Sequence, residues 1–123
     1  WLWRWMFPAR RTLDERFEEA MTRLEEEHRR VALSASASAS ASASERRDVP
    51  DDEMLRVWAL QRQALFGDAR QEDMPWWWRR DARTKWNAWA ALRGMPPPEA
   101  KELFIQAVNV LLGRADVVNR VMR

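Results

Sequence analysis

Trp58, Gln61 and Arg62 stand three and four residues apart, a spacing that gathers side chains on one side of a helix. Leu65 extends the same side by another turn. The set offers a flat aromatic surface, a side-chain amide and a fixed positive charge. A base, a sugar and a phosphate would each find a partner there. The same pattern also suits the mixed rim of an ordinary surface helix. Farther along, Trp76, Trp77 and Trp78 run directly into Arg79, Arg80, Arg83 and Lys85. Aromatics beside cations can stack on bases while holding phosphates. They can equally face a membrane, or be core rings next to a solvated basic face. Lys85 precedes Trp89 by four residues and shares its side.

Other chemistries have little to draw on. The chain has no cysteine and one histidine, so disulfides and thiolate chemistry are excluded. A His/Cys metal cluster or a Ser-His-Asp triad lacks material. No cofactor, metal site or catalytic residue is expected, and the chain is not read as an enzyme. His28 has no partner constellation and reads as a solvent-facing residue near the end of its helix. Charged residues make up 33% and hydrophobic residues 46%, fractions of a soluble globular protein. The pI near 9.9 accompanies a formal charge of only +2, because arginines do not titrate. That surplus argues weakly for nucleic acid, and none is expected as a partner. No apolar run approaches the roughly 20 residues of a membrane-spanning helix.

These residues need helices to position them. DDEML at Asp51–Leu55 places three acids where a helix N-terminus favours negative charge, and Gly67 is its stop. Met54, Leu55, Leu60 and Leu65 read as apolar bulk for a core. Upstream, Thr12 with Glu15 fits a capping box, and Leu13, Phe17, Ala20, Met21 and Leu24 form one apolar stripe. Glu18, Glu19, Glu25, Glu26, Arg16 and Arg23 fill the solvated remainder of that helix. A third helix runs from about Arg79 to Leu92 and stops at Gly94, with Trp86, Trp89 and Ala90 on one side. Pro96–Pro98 introduce a fourth. Ala100, Leu103, Phe104, Ala107, Val108, Leu111 and Leu112 then keep three-four spacing. Gly113 either kinks or ends this helix, and Val117, Val118 and Val121 either continue it or form a tail. The expected class is all-α, a four-helix bundle.

Two stretches fall outside that pattern. Residues 34–44 alternate serine and alanine, too small to offset the entropy of ordering, and read as a flexible linker between helices 1 and 2. Residues 1–11 form a tryptophan-rich extension ahead of a helical domain over 12–123. Trp1, Trp3 and Trp5 suit either a membrane-surface contact or a flap on the domain itself. A cleaved secretory signal is not expected there, because the apolar run is short and interrupted by Arg4.

Several pieces occur in an order that resembles the acyl-CoA-binding protein family. They are DDEML at Asp51–Leu55, RQA at Arg62–Ala64, Gly67-Asp68, KWNAW at Lys85–Trp89 and LRG at Leu92–Gly94. Phe104 follows Gly94 by ten residues, where the family places an aromatic, and FEEA at Phe17–Ala20 fits the first helix more loosely. The resemblance implies a four-helix bundle that binds long-chain acyl-CoA without chemistry. It implies that Met54 and Leu55 lie near the acyl chain. It implies that Trp58, Gln61, Arg62, Lys85 and Phe104 contact the nucleotide end. The family usually carries tyrosine at the places of Trp58, Gln61 and Phe104, and lysine at that of Arg62. The expectation is therefore a monomeric cytoplasmic carrier of acyl-CoA, with membrane association through the N-terminal tryptophans an added option. The alternative is a membrane-surface or protein-interaction module that keeps the bundle and binds acyl-CoA weakly or not at all.

Overall fold

A computed structural model of the chain describes residues 11–37 and 52–121. Helix α1 spans Leu13–Ala37, α2 Asp52–Phe66, α3 Arg80–Ala90 and α4 Pro97–Val121, with one 3-10 turn at Gln71–Asp73 between α2 and α3. No strand occurs among the described residues. The all-α architecture expected from the spacing is the one observed.

Local chemistry sets the helix ends. The Glu15 N–H donates to Thr12 Oγ1 at 3.2 Å and the Thr12 N–H to Glu15 Oε2 at 3.4 Å, which is the capping box. Gly67 and Gly94 close α2 and the turn after α3 at φ of 77° and 92°, a conformation that costs residues with a Cβ. Pro97 and Pro98 occupy the first turn of α4, where a missing N–H breaks no bond, and Pro96 accepts from the Ala100 N–H at 3.1 Å. Gly113 neither ends α4 nor breaks it; the helix continues to Val121, with Val117 and Val121 exposed.

The serine-alanine stretch corrects one expectation. Ser34–Ala37 belong to α1. Extending an existing helix avoids the cost of nucleation, and alanine is the strongest helix former. The rest of that stretch lies outside the described residues, as do Asp51 and Trp1, Trp3 and Trp5.

Helix α4 is the centre of the bundle. Ala100, Phe104, Val108 and Leu112, each four residues after the last, form a fully buried stripe, joined by Ile105. Phe17, Ala20 and Leu24 of α1 and Val57, Leu60 and Ala64 of α2 pack into the same core. Phe17 meets Phe104 edge to face, ring centroids 5.1 Å apart. Across the rim, Arg16 pairs with Glu102 at 3.1 Å, Lys101 with Asp14 at 2.6 Å, and Arg23 donates to Asn109 at 2.9 Å. Exposed pairs of this kind contribute at most about 1 kcal/mol each. Leu65, read as core from the sequence, is instead half-exposed beside an exposed Phe66.

Among the described residues, helix α3 docks on α2 and on neither of the other helices. A polar knot anchored on one buried amide fixes the two loops at that end. The Gln63 side chain is fully buried, and its Nε2 donates to Asp68 Oδ1 and to the Met95 carbonyl, both at 2.8 Å. Asp68 Oδ1 also accepts from the Gly94 N–H at 2.9 Å. Trp89 Nε1 donates to the Gly67 carbonyl at 2.8 Å, and Arg93 to the Ala69 carbonyl at 3.2 Å.

The Gly94 N–H, then the Gln63 amide, hold the Asp68 carboxyl below the usual carboxylate range; partial desolvation opposes them and Arg93 adds a smaller pull. A depressed folded value means the unfolded chain binds the proton first. The stabilisation is therefore complete above about pH 4, the unfolded value, and is lost as pH falls through the folded one. In urea titrations, Asp68→Asn should flatten the fall of stability with acid below about pH 4; an unchanged slope would separate Asp68 from the acid response. Phe104→Ala should cost about 3–5 kcal/mol through the cavity it leaves. A loss below about 1 kcal/mol in the same titration would place this ring outside the core.

Candidate functional site

Trp58 sits on the outer side of α2, half-buried, with α3 facing it. Its ring meets Trp89 of α3 edge to face at 6.4 Å. The Arg62 guanidinium lies 5.0 Å from the Trp58 ring centroid and 5.3 Å from that of Phe66. Lys85 Nζ, from α3, lies 5.8 Å from the same Trp58 ring. Two cations from two helices thus share one indole. Neither forms an ion pair with a carboxylate among the described residues. Like charges this close gain from an anion placed between or beside them.

A cleft of about 700 Å³ opens at this place. Trp58, Pro75, Trp78, Trp86 and Trp89 give it apolar walls; Arg79, Arg80 and Lys85 make one side cationic, and Asp73 and Asp81 also border it. Helix α3 begins here at Arg80, and its N-cap residue Arg79 makes no side-chain cap bond. The first-turn N–H groups of α3 therefore add positive potential to the side where the arginines stand. Trp86 is 8% exposed, and its indole N–H meets no acceptor among the described residues.

The seven residues expected at the site do not all gather. Trp58 and Lys85 line the cleft, and Arg62 joins them through the Trp58 ring. Gln61 turns away. At about 100° per residue it lies some 60° to one side of Trp58 while Arg62 lies some 40° to the other. Gln61 instead borders a separate groove against α1, with Glu18, Met21, Thr22, Leu24, Glu25 and His28. His28 stands well inside α1, which runs on to Ala37, and not at its end. Phe104 requires a clear correction. It is 0% exposed, at the α1–α4 contact, and has no surface to offer a ligand. A phenylalanine suits that position because a buried tyrosine hydroxyl would need a partner. Met54 and Leu55 are half-buried, one turn before Trp58 on α2, and neither borders the cleft.

Arg79, Arg80 and Trp86 complete the cleft. The run of tryptophans into arginines signalled the first two without saying what they faced. The spacing of Trp86 with Trp89 signalled a shared side, but not that this side includes a wall of the cleft.

Comparison with known proteins gives one consistent answer. The profile described as acyl CoA binding protein matches residues 14–108. The acyl-CoA-binding protein of Saccharomyces cerevisiae is 33% identical over 63 residues, covering 51% of this chain and 71% of that one. The acyl-CoA-binding protein homolog 3 of Caenorhabditis elegans is 37% identical over 59 residues, 48% of this chain and 50% of that one. The crystal structure of Oryza sativa acyl-CoA-binding protein 2 superimposes with a TM-score of 0.62 at 24% identity, covering 86% of this chain and 97% of that chain, which supports the fold. With the profile spanning α1 through the first half of α4 and the four-helix architecture in agreement, the chain belongs to the acyl-CoA-binding protein family.

Proposed function

We propose that this protein binds long-chain acyl-CoA esters and carries them, as a monomer in the cytoplasm, without a catalytic step. The observation that supports this most is the indole of Trp58 flanked by Arg62 and Lys85, both without a carboxylate partner among the described residues, beside a tryptophan-walled cleft. A nucleotide thioester needs that combination: a ring for its base and cations for its phosphates. Arg62 adds a planar fork that can hold two phosphate oxygens at once. Charge-assisted bonds of this kind are worth roughly 1.5–3 kcal/mol each.

The tail requires an apolar path. Trp78 and Trp86 supply part of it within the cleft. Met54 and Leu55, half-buried one turn before Trp58 on α2, would extend that path beyond the cleft. Each methylene removed from water contributes about 0.8 kcal/mol.

Two measurements test this reading. In calorimetry, affinity should rise about tenfold for each two carbons added to the acyl chain, until the apolar path is filled. Palmitoyl-CoA should raise the melting temperature more than palmitate does. No heat with palmitoyl-CoA and no thermal shift would refute acyl-CoA binding. The second compares head groups. Arg62→Ala combined with Lys85→Ala should weaken palmitoyl-CoA by about a hundredfold or more, while an acyl-pantetheine, lacking the nucleotide, loses little. Equal losses for both ligands would remove the two cations from the site.

A further inference from the structure

Three tryptophans next to the cleft do something other than build the core. Trp76, Trp77 and Trp78 are 67%, 72% and 59% exposed. Trp76 and Trp78 stack, ring centroids 5.1 Å apart and 12° from parallel, and Trp77 meets Trp78 edge to face at 5.8 Å. The Arg79 N–H donates to the Trp76 carbonyl at 3.0 Å and closes the turn that carries them. The rings are therefore arranged against each other and still presented to solvent. A contiguous aromatic patch of this kind marks an interaction surface on a soluble fold. The exposed aliphatic residues elsewhere, such as Val31, Val110 and Val117, belong to other helices.

The residues around the patch choose its partner. Arg79 and Arg80 follow it directly, are exposed, and form no ion pair among the described residues. The nearby carboxylates are Asp73 and Asp81, which border the cleft, and Glu72, which is taken up by Arg70 at 2.6 Å. Indole is the side chain best suited to the boundary between hydrocarbon and headgroups, because its ring is apolar and its N–H seeks an acceptor. Arginines beside it would meet the phosphates of the same boundary.

We infer that the Trp76–Trp78 turn, with Arg79 and Arg80, docks on the surface of a lipid bilayer that carries anionic headgroups. Trp78 belongs to both the patch and the cleft, so the docked face is also the cleft's edge. On the proposed acyl-CoA reading, the site would then open next to the membrane in which its amphiphilic ligand dissolves.

The test uses the full chain without acyl-CoA, so its outcome does not depend on ligand binding. Vesicles of phosphatidylcholine, alone or mixed with phosphatidylserine, are sedimented with the protein at low and high salt. The protein should sediment with the anionic vesicles and be released by salt. Trp76→Ala with Trp77→Ala, which spares every residue bordering the cleft, should weaken this association about tenfold or more while leaving palmitoyl-CoA affinity unchanged. Circular dichroism confirms that the double variant folds. Equal sedimentation of the two proteins would overturn the inference, because another part of the chain would then carry the contact. So would no sedimentation at all, or binding indifferent to lipid charge and salt. Sedimentation velocity without lipid adds a further check: a dimer that the double substitution dissociates, with no vesicle association, would assign the patch to a second copy of the chain.

Discussion

The amide of Gln63 is the constraint on which the site depends. It is fully buried near the end of α2, and it reaches both the loop that follows α2 and the loop that follows α3. Among the described residues helix α3 contacts neither α1 nor α4, so its position relies on this knot and on the rings of Trp86 and Trp89. The cleft lies between those same two helices. Its shape is therefore governed by a few directional bonds at one end, and less by the hydrophobic core. Buried bonds are costly to lose, since each unsatisfied group forfeits its hydration as well. That cost holds the two helices in one register and keeps Lys85 next to a ring that α2 carries.

Core and site are accordingly separated. The core is built where α4 receives α1 and α2, and aliphatic residues with two phenylalanines dominate it. The site is built where α2 receives α3, and tryptophan and arginine dominate it. Phe104 shows the division most plainly. The family resemblance associates its place with the ligand, yet its packing partner is Phe17 of α1. With no hydroxyl to satisfy, the Phe104 ring can be fully enclosed there. On the other side of the division, the Trp58 indole provides one broad ring for two cations.

Much of this was legible in the sequence, for physical reasons that differ by residue. The helices were visible because apolar residues recur at three-four spacing and the caps obey local rules; Thr12 with Glu15, and Gly67, needed no tertiary knowledge. Arg62 and Lys85 were legible as a pair only through the family motifs, since nothing local links residues on different helices. Gln61 misled because a separation of three residues places two side chains near each other without making them face the same neighbour. Ser34–Ala37 misled because burial was used to judge a segment that helix propagation alone can order. The role of Gln63 was not legible at all. A glutamine inside a helix looks like any surface amide until the loops that need its hydrogen atoms are in place.

Helix α1 has a consequence of another kind. Its 25 residues extend about 37 Å, but Leu24 is its last buried side chain among the described residues, and every residue from His28 to Ser34 is exposed. Past Leu24, α1 contributes no side chain to the buried core among the described residues. The hydrophobic core therefore sets no demand on the described residues of that segment beyond the ability to coil. An alphabet as poor as serine and alanine meets that demand at Ser34–Ala37, where coiling asks for small side chains and nothing more.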